Sequence, residues 1–276
     1  MSAISLADRS VWPQRLRFHT LFGAEPVYAA TGVAMLLLLL PTGFAALVDA
    51  RLVEGVNVWA KPLKFQVSLA AFLLTLAFLA RYVRPAMLAA GGYRVFSYAV
   101  AAAVALEIAW IMGAAAMGVA SHFNRSAIGQ VIYPLMGAVA TLLTSATAVQ
   151  AWQVARSGDT RLSPVLRDGI VIGLALVLPL TLITSGTLAS GSGHLVGQGG
   201  GATIPVLGWA RDAGDLRVAH FFATHAMHAV PAFAIGWAIL GDSARRLPVW
   251  LFAVAYSGFT LAVLFQALAG RPFLPL

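Results

Sequence analysis

Apolar residues run along this chain in seven long stretches, separated by short clusters of charged residues, prolines and glycines. About 20 apolar residues are needed for a helix to cross roughly 30 Å of hydrocarbon. The pattern therefore predicts spans near 26–48, 63–83, 95–119, 128–151, 167–190, 217–240 and 248–268. The first run exceeds the 7–15 residues of a signal-peptide core, so 26–48 is read as an uncleaved span. The longest connection, 191–216, is too short for a second domain. The expected fold is an all-α integral membrane protein, a single bundle of seven transmembrane helices over 26–276. Residues 1–25, with Trp12, Arg15, Arg17, Phe18 and Phe22, suit a cytoplasmic, interfacial amphipathic segment.

Composition agrees with that pattern: 60% of residues are hydrophobic and only 10% charged, against about 25% charged in soluble domains. Orientation follows from where the basic residues fall. With the N-terminus inside, the cytoplasmic segments hold Arg9, Arg15, Arg17, Arg81, Arg84, Arg94, Arg156, Arg161, Arg167, Arg245 and Arg246. The outer segments hold the smaller set of Arg51, Lys61, Lys64, Arg125, Arg211, Arg217 and Arg271. The expected topology is N-in/C-out in a bacterial inner (cytoplasmic) membrane. The net charge of +8 is explained by that asymmetry and calls for no nucleic acid. With no cysteine in the chain, disulfides, thiolate metal ligands and cysteine nucleophiles are excluded.

Candidate chemistry lies at polar positions inside the spans. Ionisable side chains there cost roughly 2.5–3.5 kcal/mol each and usually face an interior or a watery cavity. The sixth span opens RVAHFFATHAMHAVP and carries His220, His225 and His228, half of the six histidines. At about 100° per residue, Arg217, Thr224 and His228 group closely, flanked by His220 and His225. In the second span Lys61, Lys64, Ser68 and Thr75 fall within about 60° of one another. Glu107 lies deep in the third span, at a depth matching His228, with His122 overhanging the same side. The polar residues of the outer side thus include Lys61, Lys64, His122, Asn124, His194, Asp215, Arg217, Gln266 and Arg271. The loop GSGHLVGQGGGAT resembles a phosphate-binding glycine loop but lacks its strand, helix start and Lys-Ser/Thr pair, and reads as a flexible connection.

The elements WAKPLKFQVS, SHFN, DLRVAHFFATHA and QALAGRP resemble a set shared by a family of bacterial multi-pass membrane proteins. The resemblance touches four of the seven spans and carries no known activity. Three readings of the chemistry stay open. In the first, His122, His220, His225, His228 and Glu107 supply ligands for a divalent zinc, iron or copper ion, giving a membrane hydrolase or redox protein. A b-type haem is the variant, with Lys61, Lys64, Arg217 or Arg271 pairing its propionates. In the second, Lys61, Lys64, Asn124, Arg217, Gln266 and Arg271 bind a small or lipid-like anion from the outer side, while Glu107 and His228 transfer a proton. That describes a transporter or receptor. In the third, the polar residues only set helix register in a structural subunit embedded in the lipid bilayer.

Overall fold

The computed structural model describes residues 22–241 and 244–275, so most of the segment expected over 1–25 lies outside the described residues. Seven helices in it are long and apolar enough to cross a membrane, with mean hydropathy between 1.2 and 2.1. They are α1 (Pro26–Val48), α2 (Ala60–Leu79), α3 (Gly91–Met117), α4 (Ala127–Ser157), α5 (Pro164–Ser190), α6 (Leu216–Leu240) and α7 (Leu247–Leu268). Every predicted span falls on one of them. The helices overrun the hydropathy windows where polar residues continue the helix beyond the apolar stretch, most clearly in α4. Its last turns add Trp152, Gln153 and Arg156. Together these features fit a multi-pass membrane protein.

Local signals define the helix ends. Ser126 and Ser163 accept from the amides of Gly129 and Leu166, capping α4 and α5. Gly118 and Gly158 close α3 and α4 in the left-handed region. Large apolar side chains face outward, among them Leu40 and Leu47 of α1 and Val254 and Phe265 of α7, as a lipid-facing surface requires. The interior is built instead from small and branched residues, such as Leu73, Leu76, Val100, Val104 and Leu174.

Packing is heaviest between α5 and α6. Its cause is a small-residue stripe, Gly169 and Gly173, one helical turn apart. A β-carbon on Gly169 would come within 2.4 Å of Ala234 Cβ, and one on Gly173 within 2.8 Å of Pro231 Cδ. Backbones without side chains at those points approach closely, which substitutes for the hydrophobic drive that lipid removes. The α6 helix continues through Pro231.

Hydrogen bonds between connections distinguish the two ends of the molecule. At one, which we call the arginine end, Arg84 donates to the carbonyls of Ser157 and Arg156, and Arg161 donates to that of Arg81. There Arg246 forks onto Asp168, which also accepts from Trp250 Nε1. The other, the lysine end, gathers the α1–α2, α3–α4 and α5–α6 connections with the C-terminal tail. Arg51 forks onto Asp49 and donates to the Ala116 carbonyl at the end of α3. Held by that guanidinium and by Trp59 Nε1, the Asp49 carboxyl titrates well below the usual carboxylate range.

Candidate functional site

The polar residues singled out in α2 and α6 meet at the lysine end, beneath a cap formed by the α5–α6 connection. That connection has ordered structure, contrary to the flexible reading of its glycines. Leu195–Val196 pairs antiparallel with Gly214–Asp215, and Thr203 bridges Ala210. Trp209 is buried among Leu216, Val218, Val263 and Leu264, with Phe222 and Phe273 packed against the cluster. Gly214 lies so close to the end of α7 that a β-carbon there would sit 1.9 Å from the Ala267 carbonyl oxygen. The aromatic anchor and the paired strands fix the loop, despite the glycine content that makes it look like a linker.

Asp215 is the cap's polar centre. Its side chain is fully buried and forks with Arg217 at 2.9 and 2.6 Å. It also accepts from the amides of Ala210 and Arg217, which caps the first turn of α6. Arg217 then donates to the Gly208 carbonyl at 2.6 Å, and the Lys64 ammonium donates to the adjacent Leu207 carbonyl at 3.2 Å. The cap is thereby tied to both α2 and α6.

Lys61, one turn from Lys64, is half-buried and differs from it in having no hydrogen bond or ion pair among the described residues. Its ammonium lies over the Phe65 ring, 5.9 Å from Nζ to centroid. Glu54, Arg217 and Glu107 each act electrostatically on the ammonium. Lys61 in turn acts on His122 and His194. Glu107 is only 4% exposed and likewise lacks a hydrogen bond among the described residues. It lies ten residues from the end of α3, about 15 Å along the helix. A carboxylate there is costly unless a cation faces it, and the cation acting on it is Lys61.

Equal depth predicts that Glu107 and His228 meet, but among the described residues their partners differ: Thr75 for His228 and the charge of Lys61 for Glu107. Depth along two helices says nothing of lateral position: α6 packs mainly on α5 and α7, whereas α3 packs mainly on α1, α2 and α4. His228 Nε2 lies 3.0 Å from Thr75 Oγ1 of α2. His225 stacks on Phe221 and holds its carbonyl through Nδ1 at 2.7 Å. His220 Nδ1 is 3.4 Å from Thr184 Oγ1. Among the described residues, no group of three or more His, Asp or Glu side chains converges on one point.

The remaining candidates are spread over the same end. His122 sits between the rings of Phe65 and Tyr133, with Nδ1 3.1 Å from Ser121 Oγ. Asn124 uses its amide to hold the α3–α4 turn, donating to the Ala120 carbonyl and accepting from the Ser126 amide. It also lines a cavity of about 300 Å³ with Phe123, Arg125, Gln130, Tyr133, Gly191 and Ser192. Gln266 donates to the Pro272 carbonyl and folds the C-terminal tail back, while Arg271 is exposed. Sequence reasoning missed Glu54, whose signal is the Glu-Gly pair at the centre of a two-residue hairpin. Both residues take left-handed conformations, φ 52° and 77°, as such turns require.

Two imidazoles of this end lie between the long helices and carry a pH dependence. Burial, then the Lys61 ammonium, pushes His122 down to about 3, and burial followed by Arg217 lowers His194. Below about pH 6.5 the unfolded chain protonates these rings while the folded protein keeps His122 neutral until the pH nears 3. Stability is therefore fully present above 6.5 and falls as the pH drops through that window. From His122 alone, unfolding in detergent is expected to be easier at pH 5 than at pH 7 by roughly 2 kcal/mol. The measurement is thermal unfolding across that range, and His122→Phe should flatten most of the slope.

No family model, curated protein or solved structure matches the chain.

Proposed function

We propose that this is a bacterial inner-membrane protein, a seven-helix bundle with N-in/C-out topology, that binds a small anionic solute at its lysine end and exchanges a proton through Glu107. The role is that of a proton-coupled transporter or receptor. Arginine distribution supports the orientation: Arg81, Arg84, Arg94, Arg156, Arg161, Arg167, Arg245 and Arg246 all belong to the opposite end. The observation that carries the binding role is the half-buried Lys61 ammonium, without a hydrogen-bond or ion-pair partner among the described residues and within electrostatic reach of Arg217, Glu54 and Glu107. A carboxylate or phosphate group seated on Lys61 and Arg217 satisfies that ammonium. It also weakens the hold of Lys61 on Glu107, which takes up a proton in exchange. The two events are linked and reciprocal.

The experiment is titration of the purified full-length protein with acetate and inorganic phosphate in weakly buffered detergent, reading heat and proton uptake together. At least one anion should bind with uptake of a proton. Glu107→Gln should keep the binding and lose the uptake, whereas Lys61→Met should lose both. If neither anion binds, or if Lys61→Met binds as the native protein does, the reading fails.

A further inference from the structure

Each of the three histidines of α6 has a hydrogen-bond neighbour that bears on its tautomer. His225 Nδ1 faces the Phe221 carbonyl, which can only accept, so Nδ1 carries the hydrogen and Nε2 keeps its lone pair. We assign the hydrogen of Thr75 Oγ1 to the Ala71 carbonyl, 2.7 Å away, which makes the hydroxyl the acceptor of His228 Nε2–H. That leaves His228 Nδ1 with a lone pair, and this atom is buried with no hydrogen-bond partner among the described residues. By the same logic Thr184, donating to Leu180, holds His220 as the Nδ1–H tautomer.

In these tautomers His225 Nε2 and His228 Nδ1 each carry a lone pair that no described residue engages. Their rings lie 5.4 Å apart between centroids. Metal–nitrogen bonds of about 2.0–2.1 Å put each centroid about 3.2 Å from a shared ion, and rings at this separation then subtend about 115°, close to tetrahedral. The hydrogens on the opposite ring nitrogens are tied to a backbone carbonyl and a hydroxyl, as in ligating histidines whose orientation is held by a second set of hydrogen bonds. An unpaired imidazole nitrogen in this setting is costly unless something accepts its lone pair.

We propose that His225 and His228 form a two-imidazole site for a first-row transition-metal ion of the zinc type, with the other coordination positions filled by water or a small exogenous ligand. Thr75 and the Phe221 carbonyl position the two rings and touch no metal. The site is separate from the Lys61 pocket and does not depend on it.

The test is titration of tag-free, full-length protein in detergent with Co(II), followed by its visible d–d absorption and by competition with Zn(II). About one equivalent should bind and be displaced by Zn(II). Affinity should fall at least tenfold in His225→Ala and in His228→Ala, and about tenfold in Thr75→Val. Lys61→Met and His122→Phe should leave it unchanged, which separates this site from the anion pocket. Should His228→Ala lose its helical circular dichroism, His228→Gln and Thr75→Val carry the same comparison. The proposal is overturned if no Co(II) band forms, as when the rings hold only water, or if the band survives in the folded histidine variants. A band lost only with His122→Phe would place the ion elsewhere and overturn it equally.

Discussion

Asp215→Ala is expected to destabilise the protein by roughly 3–5 kcal/mol, the cost of breaking a buried ion pair by removing one member. The side chain is fully buried, and three separate structures depend on it. These are the fork to Arg217, the amide of Ala210 inside the cap, and the first turn of α6. Arg217, about one-third exposed, can turn to water, so the loss falls mainly on the cap. The check is thermal unfolding in detergent together with proteolysis. The variant should be cut within 191–215 under conditions that spare the native protein, because the strand pair and the Trp209 anchor lose their tether.

How much of this could be read from the sequence depends on which physical signal each feature leaves. The seven spans were legible because hydrocarbon length imposes a long apolar run on any helix that crosses it. The polar face of α2 was legible from helical phase: Lys64 and Thr75, eleven residues apart, both reach α6 or its cap. The cap was not, because its order rests on contacts remote in sequence, Trp209 against Leu264 and Gly214 against Ala267. Glycines there signal close approach rather than freedom. The Gly169/Gly173 stripe was readable in principle as a small-residue motif at a four-residue interval, and was obscured by the apolar run around it. Pairing Glu107 with His228 by depth lacked the lateral arrangement of helices, which a single sequence does not contain. Asp168, at the edge of a predicted window, likewise gave no hint of Arg246, 78 residues away.

The second large effect concerns Lys61 and Glu107. Lys61→Met removes a charge that acts on a buried carboxylate, and Glu107→Gln removes the carboxylate itself. A double-mutant cycle should give a coupling on the order of 1–2 kcal/mol, the value for opposite charges roughly 8–16 Å apart at an effective dielectric near 20. The double variant should be more stable than Lys61→Met alone at pH 8, because it leaves no unpaired carboxylate behind. Lys64→Met is the control: its ammonium is held by the Leu207 carbonyl, so it should show no comparable coupling to Glu107. Additive effects of the Lys61 and Glu107 substitutions would mean that the two groups are independent.

The central claim is that the half-buried cation of α2 faces a solvent-reached anion site open to the outside of the cell. The chain contains no cysteine, so a single cysteine at position 61 reports on that site without interference. Lys61→Cys should react in intact cells with an anionic, membrane-impermeant thiosulfonate, and an anion found to bind the native protein should slow its reaction. Absence of labelling from outside, or labelling only when the cytoplasmic face is opened, would contradict the account.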